Sequence, residues 1–143
     1  MAKKRTEKAK AFDKLVDTFQ TYVRWRDGWR CICCNEYVDP YSDRAKADMH
    51  AGHYITRGNK TLIIDEINVN AQCKNCNAYS HWQDNNTYAV NMVAKYGQEI
   101  LNELERRKRD LAPKRSLEEV KELTSEYRRK INELKVKFDL KEL

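Results

Sequence analysis

Two Cys-x-x-Cys pairs, Cys31/Cys34 and Cys73/Cys76, constrain this 143-residue chain more than any other feature. Four thiolates at that spacing close a tetrahedral zinc site. The 38 residues between Cys34 and Cys73 exceed a simple finger and suit a hairpin with an elaborated loop. Zinc there substitutes for a core that so short a segment cannot build. A fifth thiol, Cys33, adjoins Cys34. Neighbours on an extended chain point apart, so the expected ligands are Cys31, Cys34, Cys73 and Cys76, with Cys33 a small packed thiol.

The odd number of cysteines also argues against full disulfide pairing, and no apolar run is long enough to span a bilayer. Met1-Ala2-Lys3-Lys4-Arg5 leads into Lys and Glu rather than an apolar signal core, so a cytosolic protein is expected. A net charge of +6 favours a polyanionic partner without identifying one.

Around the cysteines the chain reads as helix, irregular core, helix. Residues 1–10 form a basic arm expected to be flexible, adding salt-dependent affinity for nucleic acid. Phe12, Leu15, Val16, Phe19, Tyr22 and Val23 recur at helical spacing, predicting an N-terminal helix over 11–27. Residues 28–86 hold every cysteine and histidine, and 87–143 return to helical periodicity as part of the same domain. Pro113 breaks that region, and Ser116 with Glu119 forms a capping box that opens a last helix. Val120, Leu123 or Thr124, Tyr127, Ile131, Leu134 and Phe138 share one side of it, a face for its own domain or, as the minority alternative, a homodimer. Trp25, Trp29 and Trp82 are expected to pack the helices on the zinc core.

Between the knuckles, a strand over 47–54 ending near His53, a second strand over 67–72 opened by Asn68, and a helix from Lys74 to about Asp84 carrying Asn77 are expected. That order resembles the HNH or ββα-metal nuclease motif. The runs Tyr22-Val23-Arg24-Trp25-Arg26-Asp27, Ala51-Gly52-His53-Tyr54, Asp65 to Asn77, Tyr96-Gly97-Gln98-Glu99 and Glu126 to Lys130 are together similar to the phage NinG/Rap family of recombination endonucleases. The resemblance implies an α+β fold with a small zinc-stapled, treble-clef-like ββα-metal core between helices, and a host-cytoplasmic protein. It also implies hydrolysis of branched DNA such as D-loops and Holliday junctions. A non-cleaving zinc-stapled DNA-binding module and an HNH enzyme nicking duplex DNA are the alternatives.

Phosphodiester hydrolysis needs an activated water, a cation against the charge of the transition state, and help for the departing oxygen. His53 is expected to be the general base. Asn68 would orient its loop or hold its ring, and Asn77 would offer an amide oxygen to Mg²⁺ or Mn²⁺. Many relatives of the superfamily have an acidic residue directly before the base, where this chain has Gly52. Proteins of the NinG/Rap family often carry an Asp three residues before the base, a position held here by His50, with Asp48 two residues further back. The resemblance thus implies His50 by preference or Asp48 as the first catalytic-metal ligand, and an imidazole there would favour Mn²⁺ over Mg²⁺. Regular strand alternation would put Asp48, His50 and Gly52 on one side and His53 on the other. Arg57, Lys60, Lys74 and His81 are candidates for phosphate contact.

Overall fold

The computed structural model describes residues 4–80 and 86–141, apart from the side chains of Tyr79 and Ser80. The expectations for His81, Trp82 and the helix end near Asp84 lie outside those residues. Among the described residues the elements follow in the order α1 (Glu7–Arg26), α2 (Ala45–Asp48), β1 (Met49–His53), β2 (Val69–Cys73), α3 (Lys74–Ser80), α4 (Asn86–Tyr96), α5 (Gln98–Arg107) and α6 (Leu117–Lys141).

Helix α1 begins earlier than its apolar pattern suggests. Thr6 Oγ1 accepts a hydrogen bond from Ala9 N at 3.1 Å, satisfying one of the unpaired amides of the first turn. Lys8 and Lys10 are therefore helical, and the flexible arm expected over 1–10 does not extend past Thr6. The apolar face of α1 buries Leu15, Phe19 and Val23 completely, each contributing on the order of 1.5–3 kcal/mol.

Helix α6 starts as its capping residue predicts, with Glu119 N donating to Ser116 Oγ at 3.1 Å. It runs alongside α1 in the same direction: Lys121 pairs with Glu7 near the start, Phe19 and Tyr127 meet edge-on at 5.2 Å, and Trp25 meets Phe138 at 5.6 Å. Val120, Thr124, Tyr127 and Ile131 are buried in this contact. The face that a dimer through α6 would have used is spent within the chain. Trp25 also stacks edge-on against Trp29, so both tryptophans join the core shared by α1, α6 and the sheet.

The sheet is a two-stranded antiparallel ladder with Met49 opposite Cys73, Ala51 opposite Ala71 and His53 opposite Val69. Met49, Val69, Ala71 and Cys73 belong to the core under α1, while Asn70 and Gln72 lie buried on the other parity. The first strand is shorter than expected. Residues 45–48, Ala-Lys-Ala-Asp, close a single helical turn with Asp48 N bonded to Arg44 O at 2.8 Å, so Asp48 leaves the strand. Helices α4 and α5 form a smaller core with Leu62, Tyr88, Met92, Leu101 and Leu104. Gly97, at φ 94°, makes the break between them in backbone space that favours glycine.

Candidate metal centre and adjoining histidine cleft

The first knuckle is a small hairpin closed by the Arg30–Tyr37 bridge, in which Asn35 takes a left-handed conformation at φ 63° and returns its amide to Cys31 O at 2.8 Å. Ile32 N donates to Ala71 O at 2.8 Å, and Asn91 of α4 donates to the carbonyls of Ile32 and Cys33. These bonds hold the hairpin against β2, whose last residue is Cys73. The second knuckle continues directly into α3, which carries Cys76.

The Sγ atoms of Cys31, Cys34, Cys73 and Cys76 all lie within 4.8 Å of one another. Zinc–thiolate bonds of about 2.3 Å at tetrahedral angles space sulfurs about 3.8 Å apart. Cys34 and Cys73 are separated by 3.7 Å. The four thiols can thus hold a structural metal ion such as zinc without rearrangement. Their ionisation diverges: hydrogen bonding from Cys33 pulls Cys31 down to about 4, whereas burial pushes Cys73 up to about 11 and raises Cys76 as well. A bound cation would favour the thiolate form of all four and offset their mutual repulsion. Cys33 stands aside from the four, accepting a 3.4 Å hydrogen bond from Gln72 Nε2 and packing between the two apolar cores.

A second polar site lies beyond the sheet. Gln20 and Arg24 of α1, His50, Ala51 and His53 of β1, Arg57 of the following loop and Asn77 of α3 line a cleft of about 220 Å³. Regular alternation would separate the two histidines, yet both line it. Among the described residues the sheet has two strands, and one edge of β1 has no strand neighbour. His50 Nε2 donates back to Ala47 O at 2.9 Å, leaving Nδ1 to accept from Asn77 Nδ2 at 3.0 Å.

His53 Nε2 donates to Ile63 O at 2.9 Å, which assigns the lone pair to Nδ1. Burial pulls this imidazole below its ordinary range; the bond to Ile63 opposes that shift and the Arg57 guanidinium reinforces it. The ring is a neutral base near pH 7.

Asn68 is fully buried one residue before β2. Its Oδ1 accepts from Ile55 N at 2.6 Å, and its Nδ2 donates to Ile55 O and Leu62 O at 3.0 Å each. It braces the loop between His53 and Ile63; the ring of His53 is held by Ile63 instead. Asp48 stands elsewhere. It pairs with Arg44 at 3.6 Å and lines a separate groove with Cys73, Lys74 and Asn75. The structure thus removes Asp48 from the cleft and leaves His50 beside Asn77. Gly52 offers no alternative, because a Cβ there would run into the Gln72 side chain.

Of the proposed phosphate contacts, Arg57 lines the cleft, Lys60 is exposed outside it, and Lys74 faces the Asp48 groove. Sequence reasoning missed Gln20 and Arg24 as cleft residues. Which face of α1 meets β1 is decided by tertiary packing, and no local sequence signal marks it. It also missed the anchor at the end of α1, where Asp27 accepts from Ala71 N at 2.8 Å and pairs with Arg26 and Lys95.

The fold and its sites define a mixed α+β protein with a zinc-capable four-cysteine cluster and an adjoining histidine cleft. The family model described as bacteriophage lambda NinG protein matches residues 1–137, so the chain belongs to the NinG phage family. No curated protein and no solved structure matches the chain. Among the described residues, no helix is long and apolar enough to cross a membrane.

Proposed function

We propose that the chain is an HNH-type, metal-dependent endonuclease that hydrolyses phosphodiester bonds in branched DNA. The observation that carries this proposal is the state of His53, a neutral imidazole whose Nε2 is committed to a backbone carbonyl and whose Nδ1 is left for proton transfer beside His50 and Asn77. The order β1, β2, α3 with His53, Asn68 and Asn77 in sequence supports a ββα-metal core. Membership in the NinG family supports a role in phage recombination.

His50 and Asn77 would hold the catalytic cation. Their side chains already meet, with Asn77 Nδ2 3.0 Å from His50 Nδ1, and together offer an imidazole nitrogen and an amide oxygen as donors. When bound, a divalent ion supplies charge compensation for the phosphate and the departing 3′ oxygen. His53 Nδ1 takes a proton from the attacking water, whose oxygen bonds to phosphorus as the P–O3′ bond breaks. The released oxygen is protonated from solvent, leaving 5′-phosphate and 3′-hydroxyl ends. Asn68 keeps the loop that bears the Ile63 carbonyl in place, so the His53 tautomer is held.

The test is a cleavage panel of four-way junction, flap and linear duplex DNA of one sequence with Mg²⁺ and Mn²⁺, run beside His53→Ala. The expected result is metal-dependent cutting of branched substrates that the variant loses while keeping zinc and DNA binding. Preferential cutting of linear duplex would turn the proposal into a nicking enzyme. Absence of cutting on every substrate would leave a zinc-stapled binding module.

A further inference from the structure

Arg24 is an arginine only 6% exposed, and its Nε donates to Met49 O at 2.7 Å. Its two terminal amino groups have no hydrogen-bond or ion-pair partner among the described residues. The acid acting on it, Asp17, is itself exposed and engaged by Lys46 at 3.5 Å. Burying a guanidinium without a counter-charge is expensive, and such a group persists where an anion arrives from outside. Here it lines the same cleft as His50, His53 and Asn77, with Gln20 one helical turn earlier on α1 and Arg57 on the opposing loop.

We infer that Arg24 is a further catalytic residue, donating its terminal amino groups to a non-bridging oxygen of the phosphate that His53 addresses. The inference rests on the nuclease proposal for its reaction, and on geometry alone for the anion site. Helix α1 supplies the group from outside the cysteine-bracketed segment, and the bond to Met49 fixes the planar fork against β1. A guanidinium held this way offers paired donors without reorganisation as charge develops on phosphate. Lysine in its place could supply charge but not the fork.

Two measurements on the zinc-loaded full chain decide it. Inorganic phosphate titrated into wild type is expected to shift the Arg24 ¹⁵Nε–¹Hε NMR resonance saturably. A resonance that phosphate leaves unmoved overturns the inference whatever the cleavage result. Single-turnover cleavage of branched DNA with Mn²⁺ is expected to fall about 100-fold in R24M and R24K, the scale of losing one preorganised donor. Zinc content and DNA affinity should be retained. A phosphorothioate at the scissile position should slow wild type more than R24M, an effect that a merely structural role would not produce. Cleavage by zinc-loaded R24K or R24M within about threefold of wild type overturns the inference. If R24M loses zinc, R24K alone carries the kinetic comparison. If wild type cuts no substrate, the nuclease proposal fails, and the phosphate titration by itself decides whether Arg24 binds an anion.

Discussion

The cysteine cluster and the histidine cleft are both built at the ends of the same two strands, but they differ in what they leave open. At the cluster, four soft donors converge from two knuckles to within 4.8 Å, a set that can fill the four positions of a tetrahedral ion and would then leave none for a reactant. At the cleft, two imidazoles and a carboxamide share about 220 Å³ with a glutamine and two arginines, a mixed donor set with room for a substrate group. One arrangement suits holding the fold, and the other suits chemistry. Because Cys76 and Asn77 are consecutive on α3, the first site positions the second.

The comparison breaks most dramatically if the cluster is not structural. Removing zinc with a strong chelator, or introducing Cys73→Ser, is expected to abolish cooperative folding. Zinc binding worth about 10–16 kcal/mol is as large as the total stability of a typical domain, about 5–15 kcal/mol. Circular dichroism melts with metal quantification check this, and a zinc-free chain with an unchanged melt would reassign the cluster.

His53→Ala should act only on the other side of the comparison. Cleavage is expected to fall by about 10²–10⁴-fold, the usual range for a general base, with zinc content intact. In wild type the cleavage rate should climb with pH as Nδ1 loses its proton. Because burial lowers the imidazole pKa, that limb should lie below about 6.5 and flatten by neutrality. A limb centred well above that value would contradict the buried, Ile63-bonded ring.

Asn68→Ala tests the coupling between fold and cleft. It strands the Ile55 amide and the carbonyls of Ile55 and Leu62, so a loss of about 1–3 kcal/mol in stability is expected together with slower cleavage. Denaturant unfolding and single-turnover rates, measured together, would separate this from a ring contact, which would slow cleavage and spare stability.

The cysteine knuckles and the Ser116 cap of α6 were readable because each is written in a few neighbouring residues, whereas the start of α1 at its Thr6 cap, ahead of the apolar pattern, was not. His53, Asn68 and Asn77 were readable as an order along the chain. Their partners were less so. The Ile63 carbonyl that fixes the His53 tautomer lies ten residues away on an irregular loop, and nothing about an isoleucine marks it as a hydrogen-bond acceptor. Arg24 looked like one basic residue among many on α1. Its burial comes from β1 packing against that helix, and a sequence motif does not state which helical face meets a strand 25 residues later. The short turn of α2 was hidden for a related reason: Ala-Lys-Ala-Asp suits either an extended or a helical path, and the backbone bonds to Ser42 and Arg44 decide it.

Metal preference sharpens the comparison further. With His50 rather than a carboxylate beside Asn77, Mn²⁺ should support faster cleavage than Mg²⁺, and His50→Asp should narrow or reverse the difference. Equal wild-type rates with the two ions, compared at saturating metal, would remove His50 from coordination.

Asp48→Asn should have the smallest effect of all, because the helical turn of α2 carries that carboxylate out of the strand and into the groove beside Cys73 and Lys74. Its ion pair with Arg44 spans 3.6 Å between side chains that are both largely accessible to water, an arrangement worth well under about 1 kcal/mol. Neither the melt nor the rate with either metal should change by more than about twofold, a difference of roughly 0.4 kcal/mol. A large loss of cleavage in Asp48→Asn, relieved by raising the divalent metal concentration, would instead place the acid among the ligands. It would require α2 to unwind when the ion binds, and the cleft would then exchange a neutral imidazole set for a charged one suited to Mg²⁺.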